Sequence, residues 1–291
     1  MRKIILDTDI GGDIDDSITL AYLLMKKDCE ILGITTVNGD VERRAKMVSA
    51  MCLNMGRGDI PIYPGAGNPL ICADVQSGVE QADHLGAWPV QGEFPKYEAI
   101  EFMRKTIREN PGEVTLLPIG PLTNIALLFS VDPEIPKLIK DMYIMGGAFG
   151  STHFEIGPRN EWNIACDPHA AKIVFDAGVK EHYVIGTNVT LQVKMNAEKF
   201  KEITDIKVMK PVHDFCKSWW WEEIFFHDPL AAAVMFNKDI CGFERGKVDV
   251  DYKSDLYPGM TKFTSDENGG AYVALSVDPD KFFEEYFSAV K

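Results

Sequence analysis

The first sixteen residues constrain the fold most, because they place a dense acidic turn directly after a short apolar run. Ile4-Ile5-Leu6 indicates a buried strand, and from Asp7 to Asp16 five of ten residues are aspartate. An apolar pattern typical of a buried helix then begins at Ile18. The aspartates therefore fill a strand-to-helix turn. In open α/β sheets, ligands bind at such carboxyl ends of strands.

Five carboxylates in one turn repel each other, and burying them is unfavourable unless positive charge compensates. A divalent cation is the natural compensation, since Ca²⁺ accepts about 6–8 oxygen ligands. The alternative is a solvated acidic loop in which an aspartate caps the following helix. Because Gly11 and Gly12 lie within the cluster and a strand precedes it, the sequence favours a metal or ligand site.

Two other acidic motifs fit less well. A DxDxDG-type calcium loop needs a preceding helix and a glutamate at its twelfth position. Counted from Asp7, the twelfth residue is Ile18, and a strand precedes the motif. A Mg²⁺-dependent phosphohydrolase with Asp7 as nucleophile stays open, although Gly11 stands where that motif prefers threonine or valine.

Strand and helix patterns alternate along the 291 residues. This alternation predicts one α/β domain over residues 1–291, with a mostly parallel open sheet, helices on both faces and a Rossmann-like core. Strands are expected at 30–37, 60–63, 113–117, 142–145 and 183–185, with a β-rich tail at 248–275. Helices are expected at 41–55, 97–109, 123–129, 167–177, 228–236 and 279–290. The residues past 197 are expected to be mainly helical.

Composition excludes several classes of protein. The net charge of −14 argues against nucleic-acid polymers and anionic membranes as partners. No apolar run reaches the ~20 residues of a membrane span, and the N-terminus lacks the pattern of a signal peptide. The six cysteines are scattered without a CxxC pair, as in reduced core thiols. We therefore expect a cytoplasmic protein with a small-molecule substrate.

Further polar turns should face Asp9 if the strand ends converge. They are Asn38-Gly39, Ile119-Gly120 and the segment 146–163. Asp228 opens an apolar helix, where it fits either an N-cap or a ligand position. His84 and Trp88 lie in a long irregular segment that suits either a lid over an aromatic ligand or a surface loop. The run 219–221, three tryptophans, fits helix core better than a stacking platform.

These motifs, in this order, resemble the nucleoside hydrolase family, the inosine-uridine preferring N-ribohydrolases. Asp7-Thr8-Asp9, Gly11 and Asp15-Asp16 resemble the N-terminal DxDxGxDD signature of the family. Segments similar to further family motifs are Asn38-Gly39, the P-x-G-P-L-T-N segment at 118–124, Met145-Gly146-Gly147, Glu161-Trp162-Asn163 with Asp167-Pro168, and His227-Asp228-Pro229. The resemblance covers nearly the whole chain.

The resemblance implies hydrolysis of the N-glycosidic bond of ribonucleosides with a bound Ca²⁺ as cofactor. By position, the ligands of the ion would be Asp9, Asp16, Asp228 and the backbone carbonyl of Ile119. Asp9 would act as general base on calcium-bound water, which attacks C1′ of the ribose. His227 would be the acid for the leaving base. The substrate would also be held by Asp15, Asn163 and Asp228 at the diol, Glu161 and Asn160 at the 5′ side, and Asn38, His84 and Trp162.

The chain departs from the family pattern at a few positions. The turn from Asp9 to Asp15 is two residues longer than usual and contains the extra Asp13, Trp162 replaces a phenylalanine, and Asn188 stands where aspartate is usual. The longer turn keeps a non-catalytic, calcium-containing nucleoside-binding protein open as an alternative. A homodimer or homotetramer is expected by analogy with the family.

Overall fold

The computed structural model of the protein describes residues 1–71, 78–86, 88–149, 161–218, 222–254 and 258–290. The strands within these ranges are β1 (Arg2–Thr8), β2 (Cys29–Thr36), β3 (Ile62–Pro64), β4 (Val114–Pro118), β5 (Asp141–Met145), β6 (His182–Ile185), β7 (Lys194–Asn196), β8 (Glu223–Phe225), β9 (Cys241–Asp251), β10 (Met260–Ser265) and β11 (Ala271–Val277).

The α-helices of the described ranges are α1 (Asp15–Met25), α2 (Val41–Asn54), α3 (Ala99–Glu109), α4 (Thr123–Val131), α5 (Ile135–Leu138), α6 (Trp162–Cys166), α7 (Pro168–Asp176), α8 (Thr187–Thr190), α9 (Ala197–Ile203), α10 (Lys210–Phe215), α11 (His227–Val234) and α12 (Pro279–Val290). Short 3-10 helices lie at Glu80–His84, Lys207–Met209, Cys216–Ser218 and Lys238–Ile240. Among the described residues, no helix combines the length and apolar character needed to cross a bilayer.

The central sheet has nine strands in the order β10-β9-β11-β6-β5-β4-β1-β2-β3. Neighbouring strands are parallel through the set β3, β2, β1, β4, β5, β6 and β11. Strands β9 and β10 are antiparallel and lie beyond β11 at one end of the sheet. The predicted α/β class with a mostly parallel sheet is confirmed. The strand order reverses between β1 and β4, and in open α/β sheets the ligand crevice lies at such a reversal.

Helices cover both faces of the sheet, and strand β1 shows how the sequence arranges this. Ile4 and Leu6 belong to the apolar cluster that includes residues of α1, α2, α11 and α12. Ile5, between them, belongs to a second cluster with residues of α3, α4 and α7. Successive side chains of a strand point to opposite faces, so a strand covered on both faces is continuously apolar.

Some predicted boundaries were wrong. The helix expected at 167–177 is present as α7, but the short helix α6 before it, which the side chain of Glu161 caps, was not predicted. The β-rich tail begins at Cys241 and not at 248. Strands β7 and β8 form a separate antiparallel pair that the sequence did not reveal, since three-residue strands carry too little pattern. The tryptophans 219–221 and Asn160 lie outside the described residues.

Candidate active site

Turns from three neighbouring strands meet at the reversal of strand order. Asp9 follows β1, Asn38 follows β2, and Ile119 follows β4. The amide Nδ2 of Asn38 lies 3.5 Å from Oδ2 of Asp9. A Cβ added at Gly120 would lie 2.9 Å from both the backbone N and Oδ1 of Asp9. The expected convergence of these turns on Asp9 is therefore present in the structure.

A cavity of about 420 Å³ opens at this point. Its volume is in the range of small-molecule sites. The described residues that line it are Asp9, Gly12, Asp13, Asp15, Asp16, Ile119, Met145, Glu161, Trp162, Asn163, Thr187, Leu191, His227 and Asp228. No lysine or arginine occurs among these lining residues. The cavity is thus strongly acidic, as the aspartate-rich turn predicts.

Asp15, Asp16 and Asp228 form a buried group in which one carboxylate oxygen from each residue lies within 4.8 Å of the other two. Asp15 and Asp16 occupy the first turn of α1. Phe226 takes the N-cap position of α11, so Asp228 lies in the first turn of that helix rather than at its cap. Asp9 lines the same cavity but is outside this group of three. Thr8 Oγ1 donates to Asp16 Oδ1 at 2.5 Å and orients that carboxylate.

Burial and mutual repulsion govern the protonation of these carboxyls. Burial raises the pKa of Asp15, Asp16 and Asp228 well above the usual range, and the neighbouring aspartates raise it further. Burial also raises the pKa of Asp9, while the charge of Arg44 and the amide of Asn38 oppose the rise. Oxygen donors that repel each other in a buried cavity fit a hard divalent cation, which would keep them ionised.

Glu161 and Asn163 support the cavity wall from α6. Glu161 caps the helix: its Oε1 accepts from the backbone N of Asn163 at 2.8 Å and its Oε2 from that of Ile164 at 3.1 Å. Oε2 also accepts from the backbone N of Gly147 at 2.9 Å. Burial raises the pKa of Glu161 to about 7, although these hydrogen bonds act to lower it. Asn163 Nδ2 donates to the carbonyl of Ile119 at 2.9 Å, which fixes a predicted metal ligand.

His227 lines the cavity next to Asp228. Its Nδ1 lies 2.6 Å from Thr190 Oγ1, and its ring stacks on Phe225 with centroids 5.7 Å apart. Burial lowers the pKa of His227 to about 4. The ring is therefore neutral at neutral pH and has one N–H for a hydrogen bond, because a neutral imidazole donates from one nitrogen only.

The remaining predicted site residues are placed as follows. Trp162 lines the cavity and is 49% exposed. Asn38 is buried and contacts Asp9 without lining the cavity. His84 ends the 3-10 helix Glu80–His84 and is half-buried outside the described cavity lining. Trp88 Nε1 donates to Asp214 Oδ2 at 3.0 Å.

Sequence reasoning did not assign several cavity residues, namely Gly12, Asp13, Met145, Thr187 and Leu191. Asp13 was counted among the five aspartates of the acidic turn and noted as its extra residue, but it was given no role of its own. Thr187 lies beside Asn188, which instead donates to the carbonyl of Ala274 at 2.8 Å. Asp7, the nucleophile of the phosphohydrolase alternative, is 1% exposed and absent from the cavity lining. Its burial argues against that alternative.

Comparisons with known proteins point to one family. The family model described as inosine-uridine preferring nucleoside hydrolase matches residues 4–284. Uridine nucleosidase 1 of Arabidopsis thaliana is 33% identical over 267 residues, covering 86% of this chain and 78% of that protein. The pyrimidine-specific ribonucleoside hydrolase RihA of Salmonella paratyphi C is 32% identical over 303 residues, covering 97% of this chain and 96% of that protein.

A solved structure of a ribonucleoside hydrolase has the same fold as this chain. The purine-preferring ribonucleoside hydrolase from Gardnerella vaginalis superposes with a TM-score of 0.86 at 25% identity, covering 99% of this chain and 98% of that one. The family match and the named relatives thus define the class of the protein as an enzyme that cleaves N-glycosidic bonds of ribonucleosides. The chain belongs to the inosine-uridine preferring nucleoside hydrolase family. That family is metal-dependent, and the group Asp15, Asp16 and Asp228 is able to hold a metal ion.

Proposed function

We propose that the protein is a calcium-dependent ribonucleoside hydrolase in which Asp9 is the general base. The observation that supports it most is the buried group of Asp15, Asp16 and Asp228 in a cavity that Asp9 also lines. Asp9, Asp16, Asp228 and the carbonyl of Ile119 would hold the ion, with Asp15 beside them. A bound calcium ion lowers the pKa of a coordinated water and binds hydroxyl oxygens of a sugar.

Asp9 accepts a proton from the attacking water as the C1′–O bond forms and the C1′–N bond breaks. A base works best when its pKa lies near the working pH. Burial raises the pKa of Asp9 towards that range, and the Asn38 amide holds its carboxylate. Both features support Asp9 as the base.

The ribose is held by side chains whose orientations are fixed by the surrounding backbone. Asp15, Asp228 and Asn163 bind the diol, and Glu161 holds the 5′ side, all as lining residues of the cavity. Asn160 belongs to the same proposed 5′ contacts by sequence position. Fixing the sugar in this way removes orientational freedom before the bond breaks.

The leaving base departs between an aromatic ring, that of Trp162, and the side chain of His227. Trp162 provides an exposed ring at the cavity, and His227 provides a ring N–H at Nε2 in the tautomer in which the Thr190 hydroxyl donates to Nδ1. Because burial keeps His227 neutral, we propose that it stabilises the departing base through a hydrogen bond. His84 is proposed as a lid residue that reaches the substrate when the site closes.

Uridine is the first substrate to test, because two of the relatives described above are a uridine nucleosidase and a pyrimidine-specific ribonucleoside hydrolase. Cytidine, inosine and adenosine follow, since a structural neighbour is purine-preferring. We also propose a cytoplasmic location and a homodimer or homotetramer, from the scattered cysteines and the family resemblance.

The decisive experiment measures release of reducing sugar from these four nucleosides, with calcium, with magnesium, and after chelation. We expect activity that chelation abolishes and calcium restores. Asp9→Asn should lower kcat by more than about 100-fold, the range of general-base catalysis, with an unchanged circular dichroism spectrum. The matched control is Asp176→Asn, because Asp176 is an exposed aspartate paired with Lys172. Activity that survives chelation would refute the metal requirement, and an active Asp9→Asn variant would refute the base assignment.

Two further measurements, nucleoside binding by calorimetry and phosphate release, separate the two alternative functions. A non-catalytic binding protein would bind nucleosides in calorimetry without releasing sugar. A phosphohydrolase would release phosphate from phosphate esters and depend on Asp7. Family membership and the burial of Asp7 favour the hydrolase over both.

A further inference from the structure

The side chain of Arg44 is completely buried although it carries a charge. Among the described residues, its three hydrogen bonds all end on backbone carbonyl oxygens and none on a carboxylate. Nε donates to Asn38 O at 2.7 Å, and Nη1 donates to Ile10 O at 2.9 Å and also to Asp9 O. A buried guanidinium is unfavourable unless its donors are satisfied. Its presence beneath the active site therefore needs a reason.

The three carbonyls belong to the turns that follow β1 and β2, the two strands that deliver Asp9 and Asn38. Asn38 has a φ of 70°, a left-handed conformation that is uncommon for a residue other than glycine. Its amide is the group that lies 3.5 Å from the Asp9 carboxylate. Arg44 thus holds both the backbone of Asp9 and the residue that contacts the Asp9 side chain.

The turn after β1 is also packed closely on the side away from Arg44. Gly11 has a φ of 120°, and a Cβ at this position would lie 2.4 Å from Val79 Cγ1. Gln81 holds the far side of the turn: its backbone N donates to Gly11 O at 3.3 Å and its Nε2 to Gly12 O at 3.1 Å. Four successive carbonyls, from Asp9 to Gly12, are therefore held by Arg44 and Gln81.

We propose that Arg44 is a positioning residue that fixes the Asp9 carboxylate relative to the metal-binding aspartates by holding the lengthened turn. This inference rests on the proposed function, because it gives Asp9 its catalytic role. The planar fork of arginine suits the task, since Nε and Nη1 reach two different turns at once. A lysine has one nitrogen and cannot hold both turns in the same geometry.

The test compares Arg44→Lys and Arg44→Met with the wild-type enzyme, full-length and loaded with calcium. A 1 Å misplacement at an active site can cost about 100-fold in rate. We expect kcat for uridine to fall about 10-fold in Arg44→Lys and about 100-fold in Arg44→Met, with KM within about threefold of wild type. Calcium affinity, measured by calorimetry without substrate, should fall about 10-fold in Arg44→Met.

Arg104→Met is the matched control, because Arg104 is a half-buried arginine on α3 that pairs with Glu101 and Asp132 and is absent from the lining of the cavity. It should leave kcat, KM and calcium affinity unchanged. The proposal is overturned if folded Arg44 variants keep kcat and calcium affinity within twofold of wild type. It is also overturned if both variants lose their near-ultraviolet circular dichroism, since the role of Arg44 would then be stability.

Failure of the proposed function would look different. Wild-type enzyme without nucleoside hydrolysis would remove the catalytic role of Asp9. The calorimetric comparison of Arg44→Met with wild type would still show whether Arg44 positions the calcium-binding residues.

Discussion

The backbone N–H of Asp228 donates a hydrogen bond to Oδ2 of Asp15, with an N···O distance of 3.3 Å. The two residues lie in the first turns of α11 and α1. The positive ends of two helix dipoles therefore lie at one group of carboxylates, and helix N-termini stabilise negative charge. This arrangement lets the group form in the absence of a metal, although the carboxyls repel each other.

Removing one carboxylate from this group should have opposite effects on metal-free and calcium-loaded protein. Asp228→Asn relieves repulsion, so we expect the Tm of metal-free protein to rise by about 2–4 °C, which corresponds to about 1 kcal/mol. Calcium at 100 times its Kd stabilises a protein by about 2.7 kcal/mol, and the variant should lose most of this gain. Thermal unfolding with calcium and with chelator measures both effects.

Asp176→Asn serves as the control for this comparison. Asp176 ends α7 and pairs with Lys172 on the surface, so both Tm values should stay close to wild type. If Asp228→Asn gains as much stability from calcium as the wild-type protein does, Asp228 is not a metal ligand.

Glu161 should make metal-free protein less stable as pH rises. Its pKa is raised by burial from the ordinary 4.5 to about 7. The folded state therefore keeps a proton that the unfolded state loses, so stability is fully present below pH 4.5 and is lost as pH rises through 7. One such group contributes up to about 1.4 kcal/mol per pH unit.

We expect Glu161→Gln to flatten the decline in unfolding free energy between pH 5 and 7, as measured by urea denaturation of metal-free protein. The other carboxyls with a raised pKa should keep part of the decline in unfolding free energy in the variant. Glu109→Gln, at an exposed glutamate of α3, should leave the slope unchanged. An identical slope in Glu161→Gln and wild type would show that Glu161 does not titrate in this range.

The sheet and most helices were predictable because their signals are local. Ile4-Ile5-Leu6 is continuously apolar because helices cover both faces of β1. The β7–β8 pair could not be predicted, since Lys194–Asn196 meets Glu223–Phe225 only through tertiary structure. The start of β9 at Cys241 was missed because its first residues do not alternate regularly: Glu244 and Arg245 are both exposed, and Gly242 and Gly246 weaken the pattern.

The acidic part of the site was predictable because aspartates in a strand-to-helix turn are chemically distinctive. Arg44 was not assigned, since a single arginine in a helix is usually solvated. A signal existed: Arg44 is three residues after Val41 and four before Val48, and so lies on the apolar face of α2. What that face contacts depends on the turns after β1 and β2, which helical spacing does not specify.

Trp162 should contribute to substrate binding more than to the rate of the chemical step. Its ring is 49% exposed at the cavity, and stacking of a base on an aromatic side chain is worth about 1–3 kcal/mol. We expect Trp162→Ala to raise KM for uridine by about 10-fold, with kcat reduced less than threefold. Trp162→Phe should keep KM within about threefold. Steady-state kinetics decide the matter, and an unchanged KM in Trp162→Ala would remove the ring from the substrate contacts.

Gly120 tests how closely the turn after β4 must approach Asp9. A Cβ at this position would lie 2.9 Å from Asp9 N, from Asp9 Oδ1 and from Val37 Cγ1. Because two of these atoms belong to the proposed base, Gly120→Ala should displace the Asp9 carboxylate. We expect kcat to fall about 10- to 100-fold, since small displacements of catalytic groups are costly, while the circular dichroism spectrum stays native.

The control for Gly120→Ala is Gly92→Ala, where an added Cβ meets nothing within 4 Å. It should leave kcat unchanged. Full activity in Gly120→Ala would mean that the turn after β4 can retreat without moving Asp9. The carbonyl of Ile119, one residue earlier, would then be equally free to move, and its assignment as a metal ligand would lose its structural basis. Calcium calorimetry on the same variant measures this second consequence directly, because a displaced Ile119 carbonyl should weaken binding together with the loss of kcat.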